Sequence, residues 1–339
     1  MLFMKQSDPP ADHAGASTCL LCGYTGDEVE RIDVRRLIGK WKSRLGINIG
    51  RELKDVDDIT EHRCRRCGLL YFLPAAAGSA DLYRQLQELP WYYSDAKWEH
   101  HAALRDIPTN AAVLEVGCGF GSFLDLVQER RHADAKGIDL SAAAIEVAQS
   151  QRRPVAVGDV VDLAAREPET FDVVCAFQVL EHVADPRSFL DACVRLLKPG
   201  GRLCLGVPNN DGYLGKQQLD VALLNQPPHH ITRWGRRTLT SLVTLFPLEV
   251  RRIIFEPLEN QHVPEYITVR LAPVGRMLRR KVERSAIGVL ISMVLTRLGL
   301  RHLVRGHTVY ASYTRLPFKT AKVVATGLGL FGSGSPLIG

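Results

Sequence analysis

The sequence predicts an α/β protein with a mostly parallel sheet that carries helices on both faces, and three observations support this. An apolar strand pattern at residues 113–116 runs into glycines at alternate positions and then into the amphipathic run Ser122–Arg131. Short apolar runs then alternate with helical patterns to about residue 210, as successive βα units require. The chain of 339 residues is long enough for a core of about two hundred residues with additions.

The first strand-to-helix turn, residues 113–121, is the most informative segment of the chain. It reads V-L-E-V-G-C-G-F-G, with glycines at 117, 119 and 121. Glycine lets the backbone come close to a ligand, and the start of the next helix offers free N–H groups and a positive dipole end. The dinucleotide fingerprint needs its third small residue one position later, at Ser122. This turn alone therefore indicates a nucleotide site without saying which nucleotide binds.

Four further strand patterns follow the turn. They cover residues 135–140, 155–159, 171–177 and 202–207. The first of them contains Asp139, about twenty residues after the glycines, where a carboxylate can accept hydrogen bonds from both ribose hydroxyls. Pro199 and the glycine pair after it are expected to end a helix before the last strand begins.

Together these segments resemble the class I S-adenosylmethionine-dependent methyltransferases. The motifs E-V-G-C-G-F-G, G-I-D-L-S, G-D-V, F-D-V-V, V-L-E-H-V-x-D-P and L-L-K-P-G-G come in the usual order between about residues 110 and 210. The resemblance implies a Rossmann-like sheet of seven strands, the last of them antiparallel. It also implies methyl transfer from a sulfonium. That reaction needs an aligned nucleophile, a water-poor site and, for a hydroxyl acceptor, a base.

The resemblance assigns cofactor contacts to seven positions. They are Glu115, Gly117, Gly119, Asp139, Asp159, Val160 and Gln178. The glutamate and the two glycines would hold the methionine end of S-adenosylmethionine, and Asp139 would hold the ribose. Asp159 and the Val160 amide would meet the adenine edge, while Gln178 would lie beside the sulfonium.

The cysteines fall into two groups. Four lie within the methyltransferase-like segment and are expected to pack as small apolar residues. The other four form two C-x-x-C-G motifs at Cys19, Cys22, Cys64 and Cys67. The two cysteines of each motif lie in one tight turn and can coordinate the same metal ion. Four thiolates favour tetrahedral zinc. We predict a structural zinc site that folds an N-terminal module, with a redox pair and an iron centre as the alternatives.

These features predict five regions and one insertion. The regions are a flexible tail at 1–18, a zinc-binding module at 19–73, a linker and helical cap at 74–105, the methyltransferase domain at 106–316 and a C-terminal tail at 317–339. A helical insertion is expected at about 257–306, before the last strand. The aromatic cluster at 91–93 precedes the first core strand, and we expect Tyr93 to cover the cofactor pocket, with packing between the two modules as the alternative.

A second candidate cluster, P-P-H-H-I-T-R-W at 227–234, follows the fifth strand. It resembles the P-x-H-x-x-x-W segment of zinc-module methyltransferases that act on sugars and other secondary metabolites. A histidine near its ordinary pKa can take a proton from a hydroxyl, so His229 or His230 is predicted to be the general base. The alternative is that both cap the next helix. His182 ends a run similar to the E-x-x-E-H of quinone O-methyltransferases, but Gln178 replaces the first acid and argues against a catalytic metal.

We therefore predict an S-adenosylmethionine-dependent enzyme that methylates a small-molecule, sugar or glycan- or lipid-linked acceptor. O-methylation is the favoured reaction. The alternative is an RNA methyltransferase that grips its substrate with the zinc module and basic residues. The chain lacks the [DN]-P-P-[YF] segment of base-amine methylation, which disfavours N-methylation of a base but leaves ribose or carbon methylation of RNA open. A non-catalytic binding module is the third class, and the intact cofactor motifs argue against it.

Charge and hydropathy set limits on partners and location. A net charge of +6 is modest and does not by itself indicate nucleic acid. Residues 270–300 combine a basic run with an apolar one that is too short for the roughly twenty residues that a membrane span needs. Peripheral contact with a membrane and a lid over the acceptor site are both open for this segment. The first residues lack the apolar core of a signal peptide, so we expect a cytoplasmic protein.

Overall fold

The structure is a computed structural model that describes residues 17–89, 92, 97–216, 223–259, 262–263, 266, 269 and 304–317. Its strands form a seven-stranded and a four-stranded sheet. The strands are β1 Gly26–Asp33, β2 Asp58–Cys64, β3 Leu70–Leu73, β4 Ala112–Val116, β5 Asp134–Asp139, β6 Val155–Val157, β7 Phe171–Phe177, β8 Leu197–Pro208, β9 Thr232–Arg233, β10 Leu248–Pro257 and β11 Arg305–Arg315. The α-helices are α1 Val34–Leu45, α2 Ala80–Gln87, α3 Trp98–Ala103, α4 Ser122–Arg131, α5 Ala142–Ser150, α6 Val160–Arg166, α7 Pro186–Leu196 and α8 Arg236–Ser241.

The large sheet has the order β10-β11-β8-β7-β4-β5-β6. Strands β4 to β8 pair in parallel with one another, whereas β11 pairs antiparallel with both β8 and β10. The carboxyl ends of β4, β5 and β6 therefore meet at one edge, where open α/β sheets bind their ligands. The predicted Rossmann-like sheet of seven strands with an antiparallel last strand is confirmed.

Two apolar clusters cover the two faces of this sheet. On β4, Leu114 and Val116 belong to one cluster and Val113 to the other, because successive strand residues point to opposite faces. Helices α6 and α7 pack in the first cluster, and α4 and α5 in the second. The sheet is thus buried on both sides, which explains why its strands read as nearly continuous apolar runs.

The strand after the fourth helix-strand unit begins earlier than the sequence predicts. Helix α7 ends at Leu196, and β8 starts at Leu197 and runs through the K-P-G-G segment. Leu197 pairs with Phe171, and the register then shifts so that Arg202 pairs with Val173. The proline and the glycines therefore bend the start of the strand and lie beyond the end of the helix.

The four-stranded sheet has the order β1-β2-β3-β9 and is antiparallel throughout. Its first three strands come from the segment between residues 26 and 73, with one cysteine pair before β1 and the other between the end of β2 and the start of β3. The fourth strand, Thr232–Arg233, comes from the loop after β8 and pairs with Leu70 and Tyr71. The predicted zinc-binding module is therefore joined to the segment that carries the candidate histidines.

Several expectations fall on residues that the structure does not describe. They concern the tails, the basic and apolar segment at 270–300, most of the insertion at 257–306, and Tyr93. Within the described ranges, none of the helices has the length and apolarity that crossing a bilayer demands.

Candidate functional site

The glycine turn after β4 has the backbone of a close-approach loop. Gly117, Gly119 and Gly121 all have positive φ, at 74°, 52° and 77°, which L side chains rarely adopt. A Cβ at Gly117 would lie 2.4 Å from Cγ2 of Val179, so that position also has no room for a side chain. A Cβ at Gly119 would meet nothing within 4 Å, so the backbone there borders open space.

Asp139, the last residue of β5, holds this turn in place. Its Oδ2 accepts a hydrogen bond from the Gly119 amide at 2.9 Å, and its Oδ1 accepts one from the Ser141 amide at 2.8 Å. A carboxylate oxygen can accept more than one hydrogen bond, which is compatible with a ligand hydroxyl at this position. The predicted ribose contact therefore lies beside the glycine turn.

Glu115 lies directly before the turn, on β4, and its side chain is buried. Burial raises the pKa of this carboxyl group to about 8. Its Oε2 has no hydrogen-bond partner among the described residues. A buried acceptor without a partner is costly, and a ligand cation would relieve that cost. The carboxyl group fits the ammonium of a bound amino acid moiety.

A cavity opens at the carboxyl ends of β4, β5 and β6. It is a shallow cleft, and its empty space of about 260 Å³ includes open solvent. It is lined by Val116, Gly117, Ile138, Asp139, Leu140, Gly158, Asp159, Val160 and Phe189. Asp159 also caps α6, because its Oδ1 accepts from the Val161 amide at 2.7 Å. The apolar walls and the polar ends suit a nucleoside. Four of the predicted positions line this cavity, namely Gly117, Asp139, Asp159 and Val160, and Glu115 directly precedes the lining residue Val116.

Gln178 follows β7 and has a positive φ of 55°. Its amide donates to the Gly206 carbonyl at 2.7 Å, and its Nε2 donates to Oε1 of Glu99 at 2.8 Å. Glu99 belongs to α3, so this contact ties the segment before the sheet to the loop after β7. The structure thus supplies a partner for Gln178 that the sequence did not suggest.

A short 3-10 helix, Leu180–His182, joins the glycine turn to the histidine loop. On one side it follows Val179, which covers Gly117. On the other, the Ile231 amide donates to the Glu181 carbonyl at 2.7 Å. The two candidate sites therefore share one wall.

Three imidazole rings meet where the 3-10 helix Leu180–His182 contacts the histidine loop. The ring centres of His182, His229 and His230 lie 4.5 to 4.9 Å apart. Burial lowers the pKa of His229 to about 4 and holds the pKa values of the other two well below the ordinary range. At neutral pH all three rings are uncharged, and each offers one lone pair.

Hydrogen bonds determine which nitrogen carries that lone pair. Nδ1 of His229 lies 2.7 Å from the Leu224 carbonyl, and Nδ1 of His182 lies 2.6 Å from the His229 carbonyl. A carbonyl only accepts, so both Nδ1 atoms carry the proton. Nε2 is then the basic nitrogen of His182 and of His229.

Two tyrosines complete the histidine cluster. The hydroxyl of Tyr92 lies 2.8 Å from Nε2 of His229 and donates to it, since that nitrogen bears the lone pair. The hydroxyl of Tyr83, on α2, lies 3.0 Å from Nδ1 of His182. The prediction for the neighbouring Tyr93 concerns the cofactor pocket and lies outside the described residues. No periodic signal distinguishes these tyrosines from packing aromatics, because their partners lie about 100 or more residues away.

Glu181 is a second buried carboxyl group at this wall. Burial raises its pKa to about 8, and its Oε2 has no hydrogen-bond partner among the described residues. Its Oε1 lies 3.8 Å from Nε2 of His182. The pair is therefore a protonated acid held next to an uncharged imidazole.

The four cysteines of the two C-x-x-C-G motifs come together. Their Sγ atoms all lie within 4.8 Å of one another, with 3.6 Å between Cys19 and Cys67 and 3.4 Å between Cys22 and Cys64. Four thiolates about 2.3 Å from one zinc ion would lie about 3.8 Å apart. Gly23 and Gly68 have positive φ after each pair. The donor set and spacing fit a tetrahedral zinc ion with four protein ligands.

The histidine cluster is a poorer metal site than the cysteine cluster. One ring nitrogen from each histidine lies within 4.8 Å of the others. Nε2 of His229, however, is engaged by Tyr92, and the Nδ1 atoms of His182 and His229 are held by carbonyl groups. These contacts argue against metal binding. The expected loop histidine near its ordinary pKa is not observed, because burial lowers the pKa of His229 to about 4 and holds that of His230 well below the ordinary range, which makes both rings weaker bases.

Comparison with known proteins gives a consistent result. A family model described as a methyltransferase domain matches residues 91–253. A ubiquinone biosynthesis O-methyltransferase of Xanthomonas oryzae pv. oryzae (strain PXO99A) is 42% identical over 172 residues, 44% of this chain and 69% of that protein. One from Ralstonia nicotianae is 46% identical over 99 residues, 27% of this chain and 40% of that protein.

These similarities cover only part of each protein. The chain spans 40% and 48% of the length of the first curated relatives it matches. Among solved structures, a SAM dependent methyltransferase from Archaeoglobus fulgidus is 21% identical, with a TM-score of 0.46 over 68% of this chain and 99% of that one.

Proposed function

We propose that this chain, which belongs to the class I S-adenosylmethionine-dependent methyltransferase family, transfers a methyl group to a hydroxyl of a small acceptor molecule. The observation that carries the proposal is the shared wall at residues 178–182. It lies between a glycine turn that fits the cofactor and a cluster of uncharged imidazoles that fits a hydroxyl. O-methylation also agrees with the activity named for the two O-methyltransferases to which the chain is similar.

The cofactor half would hold S-adenosylmethionine through the seven predicted positions. Glu115 would pair with the ammonium of the methionine part, next to the Gly117 and Gly119 backbone. Asp139 would accept from the ribose hydroxyls, and Asp159 with the Val160 amide would meet the adenine edge. The bound cofactor supplies the methyl group on a positively charged sulfur. The residues of the chain need only position the acceptor and exclude water.

A loop histidine would accept the proton of the acceptor hydroxyl. Of the two candidates, His230 is favoured, because no described residue makes a hydrogen bond to its Nε2, whereas Nε2 of His229 accepts from Tyr92. As the hydroxyl oxygen forms its bond to the methyl carbon, its proton would pass to Nε2 of His230. His229 and Tyr92 would then shape the pocket, and Glu181 would stay protonated beside His182.

The acceptor would be a small molecule, a sugar or a glycan- or lipid-linked group. Support comes from the small, enclosed imidazole cluster, since it suits a single hydroxyl better than a nucleic acid backbone. RNA methylation remains the alternative function. It would be favoured by salt-sensitive retention of RNA, because phosphate contacts release counterions.

The four cysteines would bind a structural zinc ion and fold residues 19–73 as a module. Hydrogen bonding to Cys67 lowers the pKa of Cys19 to about 6, whereas burial raises the pKa of Cys22 to about 11. Without a cation, therefore, the cluster does not readily hold several thiolates together. The other proposed boundaries are 74–105 for the linker and cap, 106–316 for the catalytic domain, and 1–18 and 317–339 for the tails.

The test of the proposed function is transfer of a labelled methyl group from S-adenosylmethionine to small molecules of a cell extract. Mass analysis of the labelled product would identify the acceptor, and release of S-adenosylhomocysteine in equal amount would be expected. A wild-type protein that binds no S-adenosylmethionine would contradict the proposal. Label found in RNA instead would select the alternative function.

A further inference from the structure

A buried ion pair joins the cysteine module to the histidine loop. Glu61 lies on β2, three residues before Cys64, and Arg233 lies on β9, three residues after His230. Oε1 of Glu61 and Nη1 of Arg233 are 2.7 Å apart, with side chains only 5% and 9% exposed. The guanidinium also lies 4.9 Å over the ring of Phe72 on β3. This pair is therefore a well-packed contact between the two regions.

The guanidinium of Arg233 also contacts the histidine loop. Nε of Arg233 donates to the Asn225 carbonyl at 2.8 Å. The side chain of Asn225 then reaches back to the next histidine, because its Oδ1 lies 3.1 Å from Nδ1 of His230. One uninterrupted chain of polar contacts thus runs from Glu61 to the imidazole of His230.

The orientation of the Asn225 amide decides what this chain does to the ring. Nδ2 of Asn225 donates to Oδ1 of Asn210 at 2.9 Å, and Nδ2 of Asn210 donates to the Pro208 carbonyl at 3.2 Å. The carbonyl at Pro208 can only accept, so both amides are oriented by it. Oδ1 of Asn225 is therefore an acceptor, and Nδ1 of His230 must carry its proton.

We propose that Glu61 is a positioning residue of the active site, through which the cysteine module holds His230 in the tautomer whose basic nitrogen is Nε2. Glu61 fixes Arg233, Arg233 fixes the backbone at Asn225, and Asn225 holds the Nδ1 proton of His230. The role of His230 as proton acceptor rests on the proposed function, but the tautomer does not. The module would thus contribute to catalysis without touching the substrate.

Removal of Glu61 or of the Asn225 amide should affect the imidazole of His230, because the polar contacts that connect these residues are buried. A buried guanidinium that loses its hydrogen-bonded carboxylate loses its main compensating charge, because Glu30 acts on Arg233 electrostatically and more weakly than Glu61. Its surroundings are then expected to rearrange. Glu61→Gln keeps the shape of the side chain and removes the charge. Asn225→Leu removes the acceptor for Nδ1 and leaves the ion pair intact.

The control is a second contact between the same two regions. Nη2 of Arg237, an exposed residue on α8, donates to the carbonyls of Arg65 at 2.9 Å and Arg66 at 3.1 Å. These residues belong to the second cysteine knuckle, and the contact is not part of the chain that leads to His230. Arg237→Ala therefore tests whether loosening the module in general has the same effect.

The experiment is ¹⁵N NMR of the histidine rings in the full-length protein and in the three variants, with His230→Gln used to assign the His230 signals. We expect the wild type and Arg237→Ala to have Nδ1 protonated and Nε2 unprotonated at His230. Asn225→Leu and Glu61→Gln should give averaged signals from both tautomers. Once an acceptor has been identified, Asn225→Leu and Glu61→Gln should each lower kcat at least ten-fold and change KM for S-adenosylmethionine less than two-fold.

Three results would overturn the proposal. The first is a wild-type His230 whose Nδ1 is unprotonated. The second is a folded Glu61→Gln protein with wild-type His230 signals. If that variant does not fold, wild-type signals in Asn225→Leu would overturn the proposal instead. Absence of S-adenosylmethionine binding by the wild type would contradict only the proposed function, because the ring signals are read without cofactor or acceptor.

Discussion

The cofactor half and the acceptor half of the candidate site are built in different ways. Most of the cofactor half comes from consecutive βα turns between residues 112 and 166, to which Gln178 after β7 and Phe189 on α7 are added. Backbone conformation determines it, through glycines at positive φ and carboxylates at strand ends. The acceptor half brings together side chains from four separate segments: Tyr83, Tyr92, His182 and the loop with His229 and His230.

This difference implies that the two halves should respond separately to substitution. A change in the turns should weaken cofactor binding, because the cofactor contacts are local. A change in the histidine cluster should reduce transfer and leave cofactor binding intact. The cysteine module contacts the acceptor half through β9, so it should behave as part of that half.

The largest expected effect follows from removing the metal proposed at the four cysteines. Structural zinc sites contribute about 10–16 kcal/mol of apparent binding free energy in zinc-finger peptides, so a strong chelator should unfold the module. We expect about one zinc per chain by elemental analysis, loss of methyl transfer after chelation, and retained S-adenosylmethionine binding. Cys193→Ala, which removes a buried thiol outside the cluster, should keep the zinc. A full-length protein without zinc that transfers methyl groups at the normal rate would contradict the link between module and acceptor half.

Replacement of the proposed base should have the next largest effect. His230→Ala should lower kcat about 10²–10⁴-fold, the usual contribution of a positioned acid or base. The affinity for S-adenosylmethionine should change less than two-fold, as calorimetry would measure. His101→Ala, an exposed histidine on α3, is the matched control and should leave both unchanged. Equal rates for the His230→Ala and His101→Ala proteins would remove His230 from the mechanism.

Replacement of Glu115 tests the cofactor half, where the expected effect is on cofactor binding. Glu115→Gln should weaken S-adenosylmethionine binding about ten- to hundred-fold, since a hydrogen bond to a charged group contributes about 1.5–3 kcal/mol. Burial raises the folded-state pKa of Glu115 to about 8 from 4.5. Its favourable contribution to stability is therefore present below about pH 4.5 and is lost as pH rises through 8.

That pH dependence gives a second measurement on the same variant. Without cofactor, the fall in Tm between pH 5 and pH 9 should be smaller in Glu115→Gln than in the wild type, by roughly a few degrees for about 1 kcal/mol. Glu129→Gln, at an exposed position on α4, should keep the wild-type slope. An unchanged slope for Glu115→Gln would show that Glu115 is ionised without the cofactor.

The smallest expected effect is that of the hydroxyl of Tyr92. Tyr92→Phe removes the donor to Nε2 of His229, and a neutral hydrogen bond contributes about 0.5–1.5 kcal/mol, so kcat should fall roughly two- to ten-fold. Tyr24→Phe, at an exposed tyrosine, is the control. A decrease as large as that of His230→Ala would instead make Tyr92 and His229 the proton-accepting pair.

The sequence predicts the two halves with unequal success, for a physical reason. The large sheet and the clustering of the four cysteines follow from local patterns: period, glycine position and C-x-x-C spacing. The Tyr92 contact and the Glu61 to Arg233 ion pair do not, because their partners are 137 and 172 residues apart and only the fold brings them together. The early start of β8 at Leu197 was missed because a bend inside a strand uses the same residues as a helix end.

The most direct test of the account is calorimetric titration of S-adenosylmethionine into the wild type, Asp139→Ala and His230→Ala proteins. We predict one binding site per chain in the wild type and in His230→Ala, with similar affinity. Asp139→Ala should bind about a hundred-fold more weakly, since it loses charged hydrogen bonds to the ribose and the support of the Gly119 amide. Binding that Asp139→Ala retains in full, or that His230→Ala loses, would contradict the separation of the two halves.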